Sequence, residues 1–419
     1  MNVGALRIAM FSVHSSPIGK LGTKDTGGMS VYIRELAREL GQRGHRVDIY
    51  TLLRDGIYHP VMDIYENVRL IHLAVENNGN TSKMAMYACL PDFFRSLEIY
   101  RTAENLNYDL IHSHYWLSGN LGHWAQRVWK RPHLVMFHTL GAVKNSTGVG
   151  LQEPDLRIAV EKRIIKTCHR ILAPTRREKQ RLISYYGAPS EKIEIIPCGV
   201  NLNRFYPIEK TTAREKLALD PDDNILLYVG RFDPLKGLSR LLEAMAYLKN
   251  HHQLRLLIVG GDGDDHPATR RLQQKAAKLG IVDKVSFAGR IEQENLPPYY
   301  AAADTLVIPS YYESFGLVGL EALACGRPVV STPVGAMEGI LRQDETGKLV
   351  TDMSPQSLAT GIEAVIADFA LFSTESIRAS VLDYSWSTIA SAVLEQYRGV
   401  FKQPRVVEKS IFSAEAALN

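Results

Sequence analysis

Glu313 and Glu321 stand eight residues apart in Glu313-Ser314-Phe315-Gly316-Leu317-Val318-Gly319-Leu320-Glu321, directly after the apolar run Thr305-Leu306-Val307-Ile308-Pro309-Ser310. A short apolar run reads as a buried strand, and Gly316 opens a segment with helical periodicity. Glu313 then lies in the strand-to-helix loop and Glu321 about one turn inside the helix. The amides around Phe315, Gly316, Leu317 and Val318 form a ready site for phosphate oxygens. Carboxylates on either side of it can accept hydrogen bonds from sugar hydroxyls. A second strand-to-helix turn, Val229-Gly230-Arg231-Phe232-Asp233-Pro234-Leu235-Lys236-Gly237, carries two cations. Arg231 and Lys236 at this spacing can reach one diphosphate and neutralise the charge that grows on it as a leaving group. A third such turn is glycine-rich, with Gly19, Gly22 and then Asp25-Thr26-Gly27-Gly28-Met29. Glycine lets backbone approach a phosphate closely, and a helix starting at Gly28 offers its amides to the anion. No G-x-G-x-x-G follows the first strand, which argues against a nicotinamide dehydrogenase.

His138, in Phe137-His138-Thr139-Leu140-Gly141, ends a strand that points into a cleft. Such a histidine can be a hydrogen-bonding residue of the core or a group that touches a reacting sugar. Two other segments resemble metal sites. Asp262-Gly263-Asp264-Asp265 follows a strand and reads as a polar turn. His112-Ser113-His114 has ligand-type residues at a strand end but no third ligand in sight. Neither predicts a metal.

These residues need elements to hold them, and the chain supplies them twice over. Strands are predicted at Leu6–Val13, Arg46–Leu52, Asp109–Ser113, His133–Phe137 and Arg170–Pro174, with a helix over Gly28–Gln42. The pattern restarts at Asn224–Gly230 and runs through Arg255–Val259, Val285–Ala288, Leu306–Pro309 and Pro328–Ser331. Strands alternating with helices imply an α/β protein with two doubly wound, mostly parallel sheets. The turn-rich Ile196-Pro197-Cys198-Gly199-Val200-Asn201 separates the series, placing domains at 1–197 and 198–383. Residues 384–419 add a last helix, around Ser387–Phe401, and a tail after Gln403. A length of 419 residues fits two domains. The net charge of +4 gives no case for nucleic acid. Cys89, Cys168, Cys198 and Cys325 lack the spacing of a zinc site or a disulfide framework. The N-terminus runs into a strand without a signal-peptide pattern, and no apolar stretch approaches the roughly 20 residues of a membrane span. A cytoplasmic location is expected.

The Glu313/Glu321 segment resembles the E-x(7)-E signature of retaining nucleotide-sugar glycosyltransferases of the GT-B fold, sugar-transferase family 4. Gly230-Arg231 to Lys236-Gly237 is similar to that family's G-R-x(4)-K-G motif. The Asp25-Thr26-Gly27-Gly28 loop resembles the one shared by sucrose-phosphate synthases, sucrose synthases and the inositol-phosphate N-acetylglucosaminyltransferases of mycothiol synthesis. The resemblance runs from Gly22 to about Gln403 and implies two Rossmann-like domains facing a cleft. It implies a UDP-sugar donor held by the second domain, with no cofactor and no metal. Arg231 and Lys236 would clamp the diphosphate, Glu321 the ribose, and the Phe287–Glu292 loop with Arg290 the uracil. Glu313 would touch the transferred hexose, and His138 would help stabilise its oxocarbenium-like transition state. Lys83, Tyr115, Thr139 and Arg157 match residues that bind the acceptor's phosphate in the inositol-phosphate enzymes. Scattered in sequence, these four gain a common role only through that match.

The acceptor ring is read from finer departures. Asp25-Thr26-Gly27-Gly28 and His138-Thr139-Leu140-Gly141 lean toward glucose transfer from UDP-glucose to fructose 6-phosphate, giving sucrose 6-phosphate, and this is the expectation. Met29 replaces the glutamine usual in the sucrose-phosphate group, and Tyr115-Trp116-Leu117-Ser118-Gly119 with Val143-Lys144-Asn145 resemble the alternative, N-acetylglucosamine transfer from UDP-GlcNAc to inositol phosphate. A UDP-sugar epimerase of the same two-domain fold would not need the phosphate pocket. A silent sugar-nucleotide sensor would not need Gly28, His138, Arg231, Lys236, Glu313 and Glu321 together.

Overall fold

The computed structural model describes residues 4–19, 26–53, 60–75, 82–261, 263 and 266–402. Gly22, Asp25, Asp262, Asp264, Asp265 and the tail from Gln403 lie outside the described residues. The first sheet contains β1 (Arg7–Phe11), β2 (Arg46–Leu52), β3 (Val61–Tyr65), β4 (Val68–Leu73), β5 (Leu110–His114), β6 (His133–Met136), β7 (Arg170–Ala173) and β8 (Ile193–Ile195). Its order is β3-β4-β2-β1-β5-β6-β7-β8, parallel throughout except for the antiparallel β3–β4 pair. The second sheet contains β9 (Asn224–Val229), β10 (Leu254–Val259), β11 (Val285–Gly289), β12 (Thr305–Ile308), β13 (Val329–Ser331) and β14 (Gly347–Leu349). Its order is β11-β10-β9-β12-β13-β14, all parallel.

The apolar strands fall where the sequence places them, within a residue or two at each end. One expectation needs correcting. Arg170–Pro174 does not close the first sheet, because the short edge strand β8 pairs beyond it. The β3–β4 hairpin and β14 were also not anticipated. The side chains of β3 are only partly buried, so no apolar run marks it, and β14 has three residues.

Both sheets reverse direction beside their first strand, and there the carboxyl ends of neighbouring strands splay apart to leave a crevice. In the first sheet that point lies between β1 and β5. The Gly28–Gln42 helix follows β1, Tyr115 follows β5 and His138 follows β6. In the second sheet it lies between β9 and β12, which lead into the Arg231–Lys236 and Glu313 loops. Thus each sequence-predicted motif sits at a strand's carboxyl end on one of two facing rims.

The Trp386–Lys402 helix returns to the first domain. It packs against the Gly28–Gln42 helix, with Trp386 edge-on to Tyr32 at 5.5 Å between ring centres. Arg43 donates to Ser391 Oγ at 2.9 Å, and Tyr397 OH pairs with His112 Nδ1 at 2.8 Å. Gly199 is required where the chain passes underneath, since a Cβ there would meet the Trp386 ring at 2.6 Å.

Candidate active site

Two helix N-termini meet across the cleft. The Leu317–Ala324 helix begins after Gly316, which adopts φ +97°, a conformation that favours glycine. A Cβ placed on Gly28 would lie 3.4 Å from Leu317 Cδ1, so the start of the Gly28 helix abuts the start of this one. Both ends carry unsatisfied amides and partial positive charge, and together they suit an anion.

Lys236 ends a short 3₁₀ turn and points to the same place. Its Nζ donates to both Glu313 oxygens, at 2.7 and 2.8 Å, and Ser310 Oγ donates to Glu313 at 2.8 Å. The turn can approach this closely because Gly237 follows at φ +70°; a Cβ there would fall 1.9 Å from the Pro309 carbonyl oxygen. Arg231, half-exposed, lies 4.0 Å from Asp233. Lys236, Glu313 and Ser310 therefore form one cluster, which the sequence did not show.

Glu321 is buried, and burial raises its carboxyl above the usual range. Gln293 Nε2 donates to one oxygen at 2.7 Å and Tyr300 OH to the other at 2.6 Å. A carboxylate accepts about four hydrogen bonds, so about two acceptor positions remain for a ligand's donors. Gln293 in turn accepts from Arg34 of the Gly28 helix at 2.6 Å and from Arg204 at 3.1 Å. A small crevice between the domains is lined by Glu35, Arg204, Gln293, Leu317 and Glu321. Arg290 follows β11 and is exposed. Glu321→Ala is expected to weaken UDP binding by roughly 1.5–3 kcal/mol, the scale of a hydrogen bond to a charged group. Unchanged affinity by titration calorimetry would remove Glu321 from the nucleotide site.

On the opposite rim Tyr115 and His138 adopt φ +77° and +59°, left-handed conformations that non-glycine residues rarely take. Such strain persists only where surrounding contacts enforce it. His138 Nε2 pairs with His114 Nδ1 at 3.0 Å, and His114 lies against His112, so the three histidines form a string in which His112 and His114 are buried and His138 is partly exposed. Loss of water, then His112, pushes the His138 imidazole down to about 3; loss of water pushes His112 down to about 3. His138 is thus neutral at ordinary pH.

This carries a stability cost in acid. The unfolded chain takes up protons at these histidines below about pH 6.5, whereas the fold does not until about pH 3, so their contribution is intact above 6.5 and falls as pH drops. Over 1.5 pH units each group loses about 2 kcal/mol, from 1.36 kcal/mol per unit. The stability gap between wild type and His112→Gln should therefore shrink by about 2 kcal/mol between pH 6.5 and 5. Denaturant titrations at both values measure it, and a constant gap would contradict it.

Arg157 is fully buried and gathers Tyr115 and Thr139, which are scattered in sequence. Its Nη1 donates to Tyr115 OH at 3.0 Å, and its Nη2 to Thr139 Oγ1 at 3.0 Å and the Thr139 carbonyl at 2.8 Å. Its Nε donates to the buried Glu161 at 2.8 Å. Lys83 is not joined to this cluster by a described contact. It opens the Lys83–Ala88 helix, whose Tyr87 stacks on Trp116 at 5.4 Å. The sequence reading missed Glu153, which bridges Arg157 Nη1 at 2.9 Å and Lys144. Burial alone would raise the Glu153 carboxyl, but Arg157 and Lys144 hold it below its usual range. Asn145 fixes the Glu153 backbone through both its amide and its carbonyl.

Among the described residues, no helix is long and apolar enough to cross a membrane. The chain matches Glycosyltransferase Family 4 over residues 26–204 and Glycosyl transferases group 1 over residues 209–372. It belongs to this glycosyltransferase family and has its two-domain GT-B fold. Among its relatives, the D-inositol 3-phosphate glycosyltransferase 2 of Catenulispora acidiphila is 37% identical, covering 93% of this chain and 94% of the relative. A sucrose-phosphate synthase from Thermosynechococcus elongatus is 33% identical with a TM-score of 0.87, covering 94% of this chain and 99% of that one. Anabaena HepE, solved with UDP and glucose, shares the fold at 19% identity and TM-score 0.74, over 94% of this chain and 100% of HepE.

Proposed function

We propose that this glycosyltransferase moves N-acetylglucosamine from UDP-GlcNAc to an inositol phosphate, with retention of configuration and without a metal ion. The observation that carries the acceptor class is the buried Arg157, held with Tyr115 and Thr139 one residue from His138. A guanidinium with hydroxyls beside it suits a phosphomonoester. The choice of ring reverses the order expected from the sequence. Tyr115, Lys144 and Asn145, which resemble the inositol-phosphate enzymes, surround Arg157 and Glu153, where acceptor identity is read. Of the two segments that lean toward sucrose-phosphate synthases, Gly28 faces Leu317 on the donor side, whereas Thr139 shares the Arg157 pocket. The relative at 37% identity also bears the name of an inositol-phosphate enzyme. Fructose 6-phosphate, with UDP-glucose, is the second reading, favoured by the TM-score of 0.87 to a sucrose-phosphate synthase.

In the reaction, the bond from the sugar's C1 to the diphosphate oxygen breaks as the acceptor oxygen bonds to C1 from the same face. The leaving phosphate takes the acceptor's hydroxyl proton. Arg231 and Lys236 stabilise the charge growing on UDP, supplying what a metal would otherwise provide. Neutral His138 turns its dipole toward the electron-poor ring. Its side-chain partners among the described residues are His114 and Tyr32, with no carboxylate placed as a nucleophile, which supports same-face transfer. Purified protein offered UDP-GlcNAc or UDP-glucose, crossed with inositol phosphate or fructose 6-phosphate, tests this through UDP release. Turnover confined to UDP-glucose with fructose 6-phosphate would replace the first reading by the second.

A further inference from the structure

The two charged loops of the second domain share an arrangement. Directly before Lys236 stands Leu235, and directly before Glu313 stands Tyr312. Both are nearly inaccessible, at 7% and 4% exposure, and both are buried in the hydrophobic cluster of the first domain rather than in that of their own. Their loops are tied together, since Tyr311 N donates to the Leu235 carbonyl at 2.8 Å. Tyr312 reaches furthest. Its hydroxyl accepts from Leu140 N at 3.3 Å and donates to Glu178 Oε1 at 3.2 Å, while Arg181 lies over its ring at 5.0 Å. Leu140 is two residues after the strained His138 and follows Thr139, the partner of Arg157.

We infer that Tyr312, with Leu235 beside it, is an interdomain latch that sets Glu313 and Lys236 in register with the turn carrying His138 and Thr139. Tyr312 is a positioning residue, since it acts through the Leu140 amide. A hydroxyl bonded to one backbone amide and one buried carboxylate has a narrow range of placements, and the ring packing fixes the rest. Donor and acceptor halves lie on separate domains, so their mutual distance depends on such contacts. Opening the latch by about 1 Å is enough to cost two orders of magnitude in rate.

The inference rests on the proposed transfer reaction for its kinetic arm but not for its structural one. Tyr312→Phe keeps the ring and removes only the hydroxyl. It is expected to lower kcat about 10- to 100-fold and raise the acceptor KM, with UDP affinity by calorimetry unchanged. A merely structural tyrosine would instead lower the melting temperature and leave both kinetic constants alone. Small-angle scattering of the UDP-bound protein supplies the second arm: the variant should show a larger radius of gyration than wild type. Leu235→Ala, which trims the neighbouring anchor, should give the same pattern and serves if Tyr312→Phe fails to fold. Wild-type kcat, KM and radius of gyration in the variant would overturn the latch. Absence of transfer by the wild type to any phosphorylated acceptor would overturn the proposed reaction, and the scattering comparison would then decide the latch alone.

Discussion

Replacing Lys236 by alanine is expected to lower turnover by two to three decades, a rise of about 3–4 kcal/mol in the barrier. The expectation comes from charge-assisted donation to a leaving group whose negative charge grows in the transition state. Lys236 and Glu313 are joined by two hydrogen bonds, so the substitution also strands a nearly buried carboxylate. Arg231, half-exposed beside Asp233, gives a second and independent substitution, Arg231→Ala. Both variants should remain folded, with the larger loss of melting temperature in Lys236→Ala. Turnover at saturating donor is the measurement. Wild-type rates in either variant would remove that residue from the diphosphate clamp.

The second large effect is expected when the phosphate is taken from the acceptor rather than from the protein. Arg157 cannot be removed cleanly, because it neutralises the buried Glu161, and stripping one partner from a buried pair costs about 3–5 kcal/mol of stability. Deleting the acceptor phosphate leaves every protein contact in place. Two or three charge-assisted hydrogen bonds at roughly 1.5–3 kcal/mol each then disappear. At about 1.4 kcal/mol per decade, kcat/KM for inositol should fall at least a hundredfold below that for inositol phosphate, with the donor KM little changed. The same comparison with fructose and fructose 6-phosphate serves the second reading. Equal efficiency with and without the phosphate, in both pairs, would sink the phosphomonoester pocket.

What the sequence made legible follows the range of the interactions concerned. Glu313, Glu321, Arg231 and Lys236 were readable because each sits at a strand-to-helix turn, and strand and helix are written in local periodicity. The ion pair between Lys236 and Glu313 was not, since it joins residues 77 apart through a contact that no pattern encodes. Tyr115, Thr139 and Arg157 have no common spacing; only a family resemblance assembled them, and the structure joins them on one guanidinium. Lys83 stays outside that set of described contacts. The strain at His138 and Tyr115 left no trace at all, because a backbone angle held by tertiary packing has no residue type to announce it. Glu153 stands four residues before Arg157 but ahead of the Asp155–Thr167 helix, so helical spacing did not mark it.

The helix that returns from the second domain to the first has a consequence for the order in which the chain is made. Ile389, Val393, Leu394 and Tyr397 are almost wholly buried, and Tyr32 and His112, near the amino end, take Trp386 and Tyr397 as partners. A ribosome delivers about 5–20 residues per second, so residues 7 to 195, with all eight strands of the first sheet, emerge well before residue 402. Through that interval the outer face of the Gly28 helix has no cover. The first domain is thus synthesised before the second and completed after it, once residues 386–402 have been made.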